Sequence, residues 1–287
     1  IERMIGSDHD DEIVSDDTTI TYLEGRAGDD TLRISSTNGE AHGGSGNDYI
    51  TIGEYGTASN VTVTGGSGND LVRSIQGGAT VDGGGNTDTM DYSWIGNAVT
   101  VNMANSGYYA VSISGKSNDS IANFENFVGS TANDYITGND SANVLSGSFG
   151  HDYFYASRGG DTYYGETSTS ANNSWNYIDY GNLDAVTSSI SFVLDEDGAT
   201  TINLNGITEN DTIYDIRRIR ATDGNDSMTG DSTHEDFWGD QGNDTMYGMG
   251  GRDELFGESG NDIMDGGSGD DDLFGGSGND TIYMSTG

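Results

Sequence analysis

Cysteine and proline are both absent from the 287 residues, and lysine plus arginine number only 10. Without cysteine, neither disulfides nor thiolate metal sites are available. Without proline, no strand need lose a backbone donor, which suits a continuous ladder of short strands. No run approaches the ~18 apolar residues that span a bilayer, so no membrane insertion is expected. The opening residues Ile1-Glu2-Arg3-Met4 show none of the architecture of a signal peptide. Against the few bases stand 48 acids, for a net charge of −38, and this balance argues against nucleic acid or anionic membrane surfaces as partners.

What is abundant is glycine, with 46 residues, while hydrophobic residues make up only 32%. Average composition of this kind belongs to disordered chains. An ordinary core could not offset the entropy of so much glycine together with such self-repulsion. Divalent cations are the expected remedy, because binding to the folded state alone stabilises it by mass action. The composition therefore predicts conditional order, folded with cation and expanded without it.

The order of the residues supports this. The phrase Gly-Gly-x-Gly-x-Asp-x-U-x, with U a large apolar residue, is clean in Gly43-Gly44-Ser45-Gly46-Asn47-Asp48-Tyr49-Ile50-Thr51 and recurs at 65–73 and 275–283. From 221 to 283 it repeats seven times without a gap. Each copy divides into a six-residue turn and a three-residue strand. The glycines open backbone angles closed to other residues, letting carbonyls converge, and the Asp adds a hard carboxylate. Oxygen-only ligands with flexible geometry suit calcium far better than zinc or copper. The eighth residue points inward: Ile13, Leu32, Ile50, Val72, Met90, Ile136, Leu145, Phe154, Met228, Phe237, Met246, Leu255, Met264, Leu273 and Ile282.

These copies resemble the repeats of the RTX family, the hemolysin-type calcium-binding nonapeptide-repeat proteins. The resemblance implies an all-β fold, a calcium-stabilised parallel β-roll (an RTX solenoid) with two nonapeptides per coil and calcium between turns stacked 18 residues apart. Carried onto this sequence, Asp226, Asp244, Asp262 and Asp280 form one ladder, and Asp253 and Asp271 the opposite one, with Glu235 in the place of a third Asp. Asp11, Asp30, Asp48, Asp70 and Asp88 form a single N-terminal ladder; the intervening slots hold Thr21, Gly39 and Ala79, over inward Leu23 and Val81. The middle block pairs Asp134 with Asp152 and Asn143 with Asp161. Stacked pairs of this kind imply about eleven calcium ions, and full occupancy would cancel about 22 of the 38 excess negative charges.

The period breaks twice, in similar ways. Asp88-Thr89-Met90-Asp91-Tyr92 opens one break and Asn176-Tyr177-Ile178-Asp179-Tyr180 the other; segments beginning at Asp119 and Asp211 close them. Between lie stretches alternating with strand period, 98–103 with 109–114 and 189–194 with 200–204, each expected to be a β-hairpin excursion that returns to the roll. The expected organisation is an N-terminal β-roll with a one-sided ladder (1–91), a first β insertion (92–128), a middle roll (129–164), a second insertion (165–220) and a C-terminal two-sided roll (221–287). The insertions either cover apolar surface beside Trp94 and Trp175, or present exposed Tyr108, Tyr109 and Trp94 for recognition. Arg217, Arg218 and Arg220 are expected to pair with nearby carboxylates.

No catalytic constellation emerges, so an enzyme is not expected. His234-Glu235 begins like a zinc-protease motif, but Trp238 stands where the second His is needed. No Gly-x-Ser-x-Gly elbow occurs. Family members are usually exported by type I secretion, and their secretion signal lies beyond the repeats; only residues 284–287 follow the last copy here. The expected function is a structural or adhesive segment, as of an adhesin or filament, in a large secreted or cell-surface protein. It would fold on meeting extracellular calcium, with end-to-end self-association through its strand edges. The alternatives are an accessory module of a secreted hydrolase or polysaccharide epimerase, and a roll that contacts polysaccharide directly.

Overall fold

The computed structural model describes residues 2–15, 19–54, 58–166, 175–183, 189–195, 200–206 and 210–284. They form a parallel β-roll whose three- to eight-residue strands alternate between two sheets. Two units are described in turn, the first comprising residues 1–136 and 143–149 and the second 137–142 and 150–287.

In the first unit, the strands Glu12–Ser15, Thr31–Ile34, Tyr49–Ile52, Leu71–Ser74, Thr89–Asp91, Asn126–Val128 and Val144–Ser146 stack in parallel as one sheet. The register aligns Ile13, Leu32, Ile50, Val72, Met90, Phe127 and Leu145 directly above one another. The facing sheet aligns Leu23, Ala41, Val63, Val81 and Ile121 in the same way. All of these are buried. Alternation along a strand sends the eighth residue of each nonapeptide inward, and each large side chain so buried contributes roughly 1.5–3 kcal/mol.

The side of this unit that lacks acids uses a different filling. The strand ends and turns there carry the buried Ile34, Ile52, Ser35, Ser36 and Val61. Successive turns are tied by backbone bonds such as Asn38 N–H to Ser59 O and Asn60 N–H to Gly78 O, both 2.9 Å. Apolar packing and main-chain bonds thus do on this side what the acidic turns do on the other.

In the second unit, Tyr153–Tyr155, Tyr177–Asp179, Arg218–Arg220, Asp236–Trp238, Glu254–Phe256 and Asp272–Phe274 form one parallel sheet. It stacks Phe154, Ile178, Ile219, Phe237, Leu255 and Leu273. The other sheet stacks Met228, Met246, Met264 and Ile282. The expected core thins here: Leu273 is only half-buried and Ile282 is 45% exposed.

The two insertions share one topology. Residues 99–102 and 109–113 pair as antiparallel strands, as do 189–193 and 200–205. Rather than leaving the roll, each hairpin is built into a sheet. Asp119–Ala122 runs parallel to Thr80–Gly85, and the antiparallel strands follow it in reverse chain order. Likewise Asp211–Tyr214 runs parallel to Thr162–Tyr164, then Thr200–Asn205, then Ser189–Val193, which pairs in parallel with Ser227–Thr229. Their backbone donors are thereby satisfied within the sheet, so no extra layer is needed. Among the exposed aromatics anticipated there, Trp94 and Tyr108 are each 55% exposed, but Tyr109 is half-buried with its hydroxyl enclosed. Trp175 is 41% exposed.

Candidate metal centres

The acids of each ladder are joined through the main chain. In every step the backbone N–H of one acid donates to the Oδ1 of the acid one coil further on. Asp11 donates to Asp30, Asp30 to Asp48, Asp48 to Asp70 and Asp70 to Asp88, at 2.7–2.8 Å. Asp226 donates to Asp244 at 2.8 Å, Asp244 to Asp262 at 2.8 Å and Asp262 to Asp280 at 3.1 Å. On the opposite ladder Glu235 donates to Asp253 and Asp253 to Asp271, both at 3.0 Å.

One carboxylate oxygen is thus committed to the backbone, and the second is the informative one. The Oδ2 atoms of Asp30, Asp48, Asp70, Asp88, Asp244, Asp253 and Asp262 are buried and accept no hydrogen bond from the protein. A buried acceptor left this way costs about 1–3 kcal/mol, and more when charged. Each Oδ2 faces the first glycine of its own turn, together with a carbonyl of the next coil, a glycine's in every case but that of Asp88, where it is Asn123's. A Cβ on Gly257 would lie 2.5 Å from Asp262 Oδ2 and 2.6 Å from Gly275 O; on Gly6 it would lie 2.5 Å from Asp11 Oδ2 and 2.8 Å from Gly25 O. The fourth position is equally restricted: Gly242, at φ +130°, faces the Gly224 carbonyl so closely that a side chain would collide with it. The glycines keep open a cradle lined by carboxylate and carbonyl oxygens. Hard oxygen donors without nitrogen or sulfur fit calcium.

The electrostatics agree. Burial pushes the Asp48, Asp88 and Asp253 carboxyls up to about 7 and Asp244 up to about 8. The N–H from the preceding acid opposes this shift, while neighbouring ladder acids add to it. Asp30, Asp70 and Asp262 shift in the same direction, again chiefly through burial. Without a cation, the ladder is a column of carboxylates that resist being charged.

A family model for the RTX calcium-binding nonapeptide repeat matches in four copies, at residues 55–74, 128–163, 218–246 and 247–282. The chain carries RTX calcium-binding repeats. No curated protein matches it.

The RTX turns are not all equivalent: in four of them a serine or threonine four residues before the acid bonds it. Ser7 donates to Asp11, Ser130 to Asp134, Ser157 to Asp161 and Thr222 to Asp226, each through its hydroxyl. At these four expected ligands a protein hydroxyl takes up part of the carboxylate's bonding capacity. Asp134 and Asp226 are also where the insertions join their ladders, accepting the N–H of Val99 and Ile190 respectively. Each of the expected pairs Asp134–Asp152 and Asn143–Asp161 has its members in different units.

Three ladder members are not apparent from the 18-residue spacing. Glu125 accepts the Asp88 N–H at 2.8 Å, Asn176 accepts that of Asp152 at 2.8 Å, and Asp211 accepts that of Asp161 at 2.8 Å. Asp211 is buried, and burial pushes its carboxyl up to about 7, opposed by the Asp161 N–H and by the Tyr180 hydroxyl. It therefore has the character of the expected ligands. Asp119, its counterpart in the first insertion, has a matching pair of partners, the Ala79 N–H and the Tyr92 hydroxyl.

One ladder step holds a cation of its own. Arg217 lies immediately before Arg218, which pairs with Asp236, so Arg217 occupies the slot equivalent to Glu235 one coil earlier. Its guanidinium bonds Asp231 and, at 3.0 Å, Glu235. Burial raises the Asp231 carboxyl, but bonds from Arg217 and Thr233 outweigh it and hold the group below the usual range. Glu235 is pushed up to about 8 by burial, with Asp231 and Asp253 adding to the shift. The other two arginines also pair, Arg218 with Asp236 at 2.7 Å and Arg220 with Asp240 at 2.7 Å. Arg217→Gln is expected to destabilise the folded chain by about 3 kcal/mol, because two buried carboxylates lose the guanidinium that pairs them. Thermal melts in saturating calcium measure this; an unchanged melting temperature would remove Arg217 from the ladder.

Proposed function

We propose that this chain is a structural or adhesive segment of a secreted or cell-surface protein, which folds when it meets extracellular calcium. The observation that carries the reading is the run of buried carboxylate oxygens without protein partners in consecutive coils. Such a ladder is unstable in low calcium and stable in high calcium, so the ion concentration sets whether the chain is folded. RTX repeats of this density supply many weak, coupled sites. Extracellular calcium modules bind at roughly 10⁻⁴–10⁻³ M, well above cytosolic calcium.

The large acidic excess supports the same assignment, since a chain with net charge −38 stays expanded and soluble until cations neutralise it. Among the described residues no helix is long and apolar enough to cross a membrane. The sequence carries neither the zinc-protease motif nor the nucleophile elbow, and most of the buried acids stand in ladders or ion pairs; the reading is therefore of a non-enzymatic segment. Self-association between copies is its finer form.

A calcium titration followed by far-UV circular dichroism tests the proposal. The expected result is a steep, cooperative gain of sheet signal with a midpoint between cytosolic and extracellular calcium. A midpoint below micromolar calcium would overturn it, because the chain would then fold before leaving any cell.

A further inference from the structure

One coil departs from the repeat at neighbouring positions. The turns of the longer C-terminal ladder carry asparagine before the acid, at Asn225, Asn243, Asn261 and Asn279; on the opposite ladder that place holds His234, Arg252 and Asp270. The ladder acid that follows His234 is Glu235, and the next residue is Asp236. Glu235 is fully buried and belongs to the ladder, bonded to Arg217 and Thr233. His234 and Asp236 flank it and meet each other, with His234 Nε2 2.9 Å from Asp236 Oδ1.

Asp236 lies directly opposite Glu254 on the neighbouring parallel strand. Like charges in this relation repel, and the Asp236 side chain is only 2% exposed, so water does little to relieve it. Arg218 Nε holds Asp236 Oδ2 at 2.7 Å, which fixes the carboxylate and leaves Oδ1 facing the histidine. The Trp175 ring packs edge-on against the imidazole with centroids 4.7 Å apart, restricting its orientation. One ligand atom from each of His234, Asp236 and Glu254 lies within 4.8 Å of the other two.

This donor set differs from the calcium cradles, which offer oxygen alone. An imidazole nitrogen with two carboxylates is a combination suited to zinc and its neighbours in the first transition series. Bonds of about 2.0–2.2 Å place tetrahedral ligand atoms roughly 3.3 Å apart. The histidine–aspartate pair needs to open by a few tenths of an ångström, and the Glu254 carboxylate to swing inward. We propose that His234, Asp236 and Glu254 form a binding site for a zinc-class divalent cation, separate from the calcium ladder, with the remaining coordination position open to water. Arg218 and Trp175 position its ligands.

Zinc titration of the chain in millimolar calcium, followed by isothermal calorimetry, tests this with the ladder already saturated. One equivalent is expected to bind the unaltered chain. His234→Asn installs the residue that the repeat carries at the matching place elsewhere, and is expected to weaken zinc at least about tenfold while leaving the calcium midpoint of folding unchanged. Glu254→Gln, on a neighbouring strand, is expected to weaken zinc similarly and tests the site independently of the turn. Absence of zinc uptake by the unaltered chain overturns the proposal, leaving a histidine–aspartate ion pair. Uptake undiminished in both variants also overturns it, as does uptake that raising the calcium concentration abolishes, which would put the zinc in the ladder.

Discussion

Asp244→Asn is expected to act in opposite directions in calcium and in chelator. The substitution keeps Oδ1, so the bond from the Asp226 N–H survives, and it removes only the charge and the partnerless Oδ2. In calcium, two adjacent steps lose a carboxylate ligand, and the calcium midpoint for folding should rise by about tenfold. In chelator, the same change removes a buried group that resists ionisation, since burial and the charges of Asp226, Asp262 and Asp240 push its carboxyl up to about 8. The chelated variant should therefore be more stable than the parent by on the order of 1–3 kcal/mol, read as greater residual sheet signal. Asp262→Asn should behave in the same way. A variant weaker in both conditions would mean that Asp244 serves packing and not the cation.

The second large effect is a dependence on pH that calcium abolishes. In the metal-free fold, carboxyls of the ladder titrate near 7 to 8, whereas unfolded aspartates titrate near 4. A folded pKa raised above the unfolded one contributes stability that is fully present below the unfolded value. That contribution is lost as pH rises through the folded value. The calcium-free chain should therefore gain structure as pH falls from 8 towards 5, because protons neutralise Asp48, Asp88, Asp244 and Asp253 in place of calcium. With calcium bound these groups stay ionised in the fold, and stability should vary little across the same window. Melting curves at pH 8, 6.5 and 5 (in calcium and in chelator) check this. A calcium-free chain that becomes steadily more stable as pH rises would contradict the assignment of these acids as the cation ladder.

Periodicity made the roll legible, and it did so for a physical reason. A nonapeptide with one inward slot can bury Leu32, Ile50, Val72 and Met90 only by stacking them, and stacking sets the register of the acids in the same stroke. The 18-residue steps from Asp226 to Asp280 are joined by backbone bonds for the same reason. Legibility ends where the step length changes. Glu125, Asn176 and Asp211 lie 37, 24 and 50 residues beyond their ladder neighbours, because inserted segments separate them in sequence. The hairpins themselves were readable from alternation, but alternation does not say whether a hairpin lies on a sheet or within it. That depends on which edge offers unpaired donors, a property of the neighbouring coils.

Two further features were present in the sequence without a rule to expose them. Asp11, Asp134, Asp161 and Asp226 are each bonded by the hydroxyl of a serine or threonine four residues earlier. Arg217 took its meaning only once the register put it one coil from Glu235. A guanidinium at that point is a cation supplied by the chain itself.

Calcium, and not an apolar core alone, is expected to hold these coils together. The most direct measurement is size-exclusion chromatography with multi-angle light scattering, on the same sample in millimolar calcium and then in chelator at pH 8. The expected result is a compact species in calcium that expands at constant mass when the ion is removed. A species equally compact in chelator would contradict the account, since the buried carboxylates would then be tolerated without a cation.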